Sequence, residues 1–520
     1  MGMRGLILVL LTAGAAGLGA QRGANGDGSS QPFQLEEATI ASVHAAFARG
    51  ALTCRGLVDA YLQRIERHDK QGAAINAIVE INPNARAEAD ALDRRFVSGG
   101  LTGPLHCVPA IVKDNFETIG LQSAAGSLSF KGFISPKDAF QVRRIKAAGA
   151  IVLAKSNMAE FAFTPYETVS SILPGYTRNP YALNRVTAGS SGGTAAAIAA
   201  NFGLIGLGSD TGNSIRGPAS HQALAGIRST MGLTSRGGVV PLNLLADIAG
   251  PMTRTLADAV AVLQVIAGYD PDDPATEAVR GREIPAYAAS LVPGGLKGAR
   301  IGVLRQAYER ETTDPEVVKV FEAALADMRR AGAVIVDPIG VELSAVRRER
   351  GAGQCGGFKY DMNRYLAGLG AAAPQKDLAA IVRSRQFHPS VHRRLEMALD
   401  DSENGPDSPA CTPERDYRAA FRAAVDAAMD RERLDAFVYP TWSNPPRLIG
   451  DLNTPPGDNS QVFAPTTGYP AINVPMGYTR GNTLPAGVTF FGRGWSEPTL
   501  IRLAYGYEQM TGHRRPPAGR

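Results

Sequence analysis

Apolar positions along the chain recur with two periods. Ile40, Val43 and Phe47 share one helical face, and Leu57, Tyr61 and Ile65 do so again behind Thr53, a hydroxyl placed to cap a helix. Cys107 to Val112 is a short apolar run that ends in the polar Lys113-Asp114-Asn115, which predicts a buried strand opening into a loop. A helix over Phe140 to Ala148 and a strand over Ile151 to Ala154 follow, and Leu204 to Gly208 is another strand-like run. Arg300 to Leu304, Pro315 to Ala331 and Val334 to Val336 spell strand, helix, strand. Ala436 to Tyr439, Ile472 to Val474 and Val488 to Phe491 read as late strands, and Leu500, Leu503 and Tyr507 mark a closing helix. Strands alternating with helices predict an α/β fold whose sheet is largely covered. No clean linker interrupts the chain after residue 32, so residues 33–515 read as one domain. Residues 345–433 are poor in strand signals and read as a helical elaboration of it.

Composition narrows the class. With 44% hydrophobic and 20% charged residues, 520 residues can bury a large core. The net charge of +5 is mild at this length, and no dense basic stripe accompanies it, which argues against nucleic acid as a partner. The first residues differ from the rest. Arg4 precedes an apolar run from Gly5 to Leu11, small residues continue to Ala20, and residues 21–32 are polar and glycine-rich. That layout predicts a signal peptide over 1–20, a flexible linker over 21–32, and a secreted or periplasmic product without a stable membrane span. Four cysteines, Cys54, Cys107, Cys355 and Cys411, allow three pairings if all are oxidised. Buried thiols or a single bridge are expected in a chain this long.

Chemistry concentrates in three segments: the Lys113-Asp114-Asn115 loop, Gly189-Ser190-Ser191-Gly192-Gly193-Thr194, and Gly208-Ser209-Asp210-Thr211-Gly212-Asn213-Ser214-Ile215-Arg216. Glycine lets a backbone turn its N–H groups toward a ligand, so the last segment can present several donors to one oxygen. Together with Arg178-Asn179-Pro180-Tyr181, Gly250-Pro251-Met252-Thr253-Arg254 and Gly468-Tyr469-Pro470-Ala471, these motifs resemble the amidase signature family in order and separation. The resemblance implies a mixed central β-sheet covered by helices on both faces. It also implies a Ser–cis-Ser–Lys triad made of Lys113, Ser190 and the nucleophile Ser214, with an oxyanion hole at Thr211, Gly212, Asn213 and Ser214. The implied activity is hydrolysis of a small-molecule carboxylic acid amide through an acyl-enzyme, with no cofactor and no metal; a homo-oligomer is compatible with it. Ester or carbamate hydrolysis on the same triad is an alternative. So is the catalytic subunit of an amidotransferase, working with partner proteins.

Two departures from the family pattern stand out. Asn213 occupies a position usually held by a second glycine, and Cys107 replaces a common glycine before the lysine loop and reads as packing. The segment Phe161-Ala162-Phe163-Thr164 lacks polar residues often seen there, which leaves substrate choice open. Competing motifs are weaker. Gly189 to Gly193 fits G-x-S-x-G with Ser191 as nucleophile, but the polar stretch before it is not the buried strand that elbow needs. His388 and His392 have metal-ligand spacing, but Pro389 intervenes and no glutamate adjoins them.

Overall fold

The computed structural model describes residues 33–344, 346 and 355–518. The expected signal peptide and linker lie outside the described residues. Eleven strands form one mixed sheet: β1 (Ile78–Ile81), β2 (Pro109–Lys113), β3 (Ile151–Ser156), β4 (Ile205–Asp210), β5 (Ala225–Arg228), β6 (Ile248–Thr253), β7 (Arg300–Leu304), β8 (Val334–Ile339), β9 (Ala436–Pro440), β10 (Ala471–Thr479) and β11 (Leu484–Phe491). Their spatial order is β1-β3-β2-β4-β6-β5-β10-β11-β9-β7-β8. The family's expected architecture, a large mixed sheet flanked by helices, is the one observed.

Parallel pairing decides where the loops gather. β2 runs parallel to both β3 and β4. Parallel neighbours need crossover connections, and here the helices Phe140–Ala147 and Gly192–Ala199 supply them. The carboxyl ends of three strands therefore open on the same edge, where α/β folds place ligands. Lys113 ends β2 opposite Ser156 of β3, and Val112 pairs with Leu207, just before Ser209 and Asp210 of β4. Helix Gly192–Ala199 is buried along its whole length. A Cβ on Gly193 would lie 2.2 Å from the carbonyl oxygen of Asn157, so only glycine lets this helix enter so close to the strand end.

Two large apolar clusters fill the sheet's neighbourhood, one around β2, β3 and β4 and one around β7 and β9 to β11. A third, smaller cluster joins Phe130, Phe161, Phe163 and Val240 to the helices Phe358–Leu369, Leu378–Ser384 and His392–Ala398. Phe358, Met362 and Leu366 form its helical stripe, with the Phe163 and Phe358 ring centroids 4.6 Å apart. The apolar Phe161 and Phe163 thus serve as the floor on which these helices pack.

All four cysteines are paired, unlike the expectation of thiols or one bridge. Cys54 is joined to Cys107, and Cys355 to Cys411. Cys107 has φ +57° and immediately precedes the run into β2, so it ties the strand that carries Lys113 to helix Cys54–His68. The second bridge closes the two ends of the segment holding the three packed helices. Sequence spacing carried no signal for either pairing, because the partners meet only through the tertiary fold.

Candidate active site

Lys113 is fully buried at the end of β2. Its Nζ donates to Ser190 Oγ at 2.7 Å and to Ser209 Oγ at 2.8 Å, with Ser209 O at 3.4 Å. Asn115 Nδ2 also donates to Ser209 Oγ, at 3.0 Å. Among the described residues Lys113 forms no ion pair. Burial pushes its pKa down to about 7, opposed by the longer-range charges of Asp247 and Asp210. An ordinary lysine is almost wholly protonated at neutral pH, whereas this one is poised between a base and an acid.

Ser190 follows a cis peptide bond from Gly189. Main-chain bonds hold its segment: Gly189 N–H donates to Pro165 O at 2.7 Å, and Ala159 N–H to Ser190 O at 3.0 Å. Ser191 N–H donates to Ser214 O at 3.3 Å and links this segment to the loop after β4. Ser214 is 5% exposed, in contrast to the fully buried Ser190. No direct hydrogen bond joins the hydroxyls of Ser190 and Ser214. Lys113 and Ser190 are therefore brought into contact, and Ser214 joins them through its main chain.

The loop from Thr211 to Ser214 is held from behind. Asp210 is buried between Arg216 and Arg228, at 3.1 and 2.9 Å. Despite burial, the two guanidinium groups bring its pKa down to about 2. Arg216 Nη2 donates to Gly212 O at 2.6 Å and Arg228 Nη1 to Asp210 O at 2.5 Å. With these carbonyls clamped, the N–H groups of Gly212, Asn213 and Ser214 donate to no acceptor among the described residues. Three successive free donors beside a serine are what an anionic oxygen requires. Thr211 is fixed separately, its Oγ1 donating to Asp247 Oδ1 at 2.5 Å.

Neither Gly212 nor Asn213 adopts a positive φ, so Asn213 needs no special backbone tolerance. A side chain at Gly212 would meet the Gln461 amide, whose Oε1 would lie 2.1 Å from a Cβ there. The Asn213 side chain is buried beside Gly217, where Trp442 also packs, with neither its oxygen nor its nitrogen partnered. It thus turns into the protein beneath the loop.

The competing motifs do different work. Residues 180–186 form no strand, and Ser191 Oγ donates to Ser209 O at 3.1 Å. His388 caps a short turn through Ser390, while His392 meets Glu396 at 2.9 Å. Among the described residues no cluster has the make-up of a metal site. Ser209, Asn115 and Asp247 were given no role by sequence reasoning. Ser209 lies inside a motif already singled out, but nothing local marks its hydroxyl as a second acceptor for the lysine.

The chain is similar to known proteins along nearly its whole length. A probable amidase of Arabidopsis thaliana is 32% identical over 510 residues, covering 94% of this chain and 93% of the relative. A glutamyl-tRNA(Gln) amidotransferase subunit of Acinetobacter baumannii is 33% identical over 490 residues, 92% of this chain and 96% of the relative. The structure of native peptide amidase from Stenotrophomonas maltophilia superposes with a TM-score of 0.83 at 38% identity, covering 94% of this chain and 99% of that one. The Amidase family model matches residues 56–501, and the chain belongs to the amidase signature family.

Proposed function

We propose that this chain is a free-standing hydrolase of carboxylic acid amides, with Ser214 as nucleophile, Ser190 as proton relay and Lys113 as general base. The observation that carries the reading is the contact of a buried, charge-depleted lysine with Ser190, beside a loop of free N–H donors that ends in Ser214. Substrate binding turns the Ser214 hydroxyl toward Ser190. Neutral Lys113 takes a proton from Ser190 as Ser190 takes one from Ser214, and Ser214 Oγ bonds to the carbonyl carbon. The N–H groups of Gly212, Asn213 and Ser214, and that of Thr211 at the loop's start, hold the oxyanion. The proton returns through Ser190 to the nitrogen as the C–N bond breaks, and water releases the acid from the acyl-enzyme.

The 38% identical peptide amidase supports peptide amides as the substrate class. The relatives named as amidotransferase subunits favour a second reading, a catalytic subunit that works with partners. The signal-like composition of residues 1–20 and the two disulfides fit an oxidising compartment and favour the first. The test is release of ammonia or amine from a panel of amides, including peptide amides, by the purified single chain without ATP or tRNA. Ser214→Ala is expected to abolish it; a folded Ser214→Ala enzyme with near-wild-type rate refutes the nucleophile. A single chain inactive on the panel but active with partner proteins establishes the second reading.

A further inference from the structure

The helical segment packed on Phe161 and Phe163 adds no strand to the sheet, yet it reaches the nucleophile loop through a short chain of polar contacts. Asp361, in the first turn of helix Phe358–Leu369, is 5% exposed. Its Oδ2 accepts the N–H of Leu244 at 2.8 Å. Leu244 belongs to the 242–247 turn, whose N–H groups at Leu242 and Asn243 donate to Asp247 Oδ2 at 2.9 and 3.0 Å. The other oxygen of Asp247 holds Thr211. Two further ties fix the same turn: Arg236 Nη1 donates to Leu244 O at 2.5 Å, and Arg228 Nη2 to Ala246 O at 2.7 Å. A small cavity of about 10 Å³ lies among these groups, lined by Asn115, Ser209, Thr211, Arg236, Leu242 and Asp247.

This arrangement is costly as mere packing. It buries two carboxylates around one turn, and they repel each other. A first-turn aspartate gains a little from the helix dipole, but that gain does not require burial against a distant turn. The expense is explained if the contact sets loop geometry.

We propose that Asp361 is a positioning residue for the nucleophile loop: docked by the helical segment, it holds the 242–247 turn, and through Asp247 the turn holds Thr211. The proposal rests on the reading of Ser214 as nucleophile. A loop displaced by a fraction of an ångström presents its donors poorly to the transition state while still admitting substrate, so the loss falls on kcat.

The experiment measures kcat, KM and melting temperature for Asp361→Ala, Asp361→Asn, Asp247→Asn and the double variant Asp361→Ala/Asp247→Asn. Asp361→Ala is expected to lower kcat by about 10- to 100-fold, since small misplacements at an active site cost this much. KM is expected to stay within about twofold, the mark of an interaction expressed in the transition state. Asp361→Asn is expected to restore most of kcat, because its amide oxygen still accepts the Leu244 N–H. The double variant is expected to be no slower than Asp247→Asn alone, as for two links of one chain. Losses that multiply, or that appear only in KM or melting temperature, overturn the proposal. Should Asp361→Ala not fold, Asp361→Glu moves the accepting oxygen by one methylene; wild-type kcat there also overturns it. Wild-type kcat in Asp361→Ala beside an inactive Ser214→Ala removes this proposal alone, whereas an active Ser214→Ala removes the nucleophile assignment.

Discussion

Two lysines are buried side by side on parallel strands, and their surroundings part them. Lys113 ends β2; Lys155 sits on β3, paired in register with Val112. Burial lowers both, Lys113 to about 7 and Lys155 to about 8. Lys155 Nζ donates to Phe116 O at 2.6 Å, Gln122 O at 3.0 Å and Ser123 Oγ at 3.1 Å, and the charges of Asp114, Glu80 and Glu117 favour its protonated form. Carbonyl oxygens only accept, so this lysine must donate and serves as a cross-brace for the 116–123 loop. The Ser123 hydroxyl is already committed, donating to Phe116 O at 2.9 Å, whereas Lys113, apart from its longer contact with Ser209 O, faces two hydroxyls that can give a proton as well as take one. On the proposed reading, burial alone does not make a base; partners free to exchange a proton do.

The largest expected effect separates the two by activity. Lys113→Met is expected to lower kcat/KM by at least about 10²–10⁴-fold, the ordinary worth of general base catalysis, while the fold is retained. Lys113→Arg is not expected to rescue it, because a guanidinium stays protonated at any working pH. An active Lys113→Arg enzyme would show that only positive charge is needed. Lys155→Met is expected to act mainly on stability. It takes a charged donor away from the Phe116 and Gln122 carbonyls, a loss of about 3 kcal/mol seen by chemical denaturation. A loss of activity in a fully stable Lys155→Met protein would erase the distinction.

Titration sharpens the same comparison. The wild-type rate is expected to fall on the acid side through about pH 7, as Lys113 takes up its proton. Both lysines hold protons more weakly folded than unfolded, where the pKa is about 10.4. Between pH 7 and 10 the unfolded chain therefore binds more protons, and the contribution of these groups to stability rises with pH. Denaturation midpoints across that range are expected to vary less with pH for each methionine variant than for wild type. The smallest effect is that of Ser209→Ala. Loss of one acceptor for the ammonium is expected to move the acid limb to lower pH and to reduce the plateau rate by about tenfold. An unmoved limb would show that Ser209 does not share the lysine's proton.

Much of the fold is legible in the amino-acid order alone. The strands over Ile151 to Ala154, Leu204 to Gly208 and Ala436 to Tyr439 are readable because buried parallel and central strands are continuous apolar runs bounded by polar loops. β5 escapes notice because Ala225–Arg228 is only four residues and ends in Arg, and β6 because Ile248–Thr253 carries Gly, Pro and Thr, residues that read as loop. Their burial comes from pairing with each other and with β4 and β10.

The order of residues by itself determined the apolar-run strands, where polar loops follow them, and which serines and lysine stand next to glycine-rich turns, because hydrophobic period and glycine freedom are local properties. Only the tertiary structure decided that Ser209 shares the lysine with Ser190, that Cys54 meets Cys107 and Cys355 meets Cys411, and that Asp361 of the helical segment reaches the turn held by Asp247. Those partners lie tens to more than a hundred residues apart. Their meeting depends on strand order and crossover packing, which no local window of the chain contains.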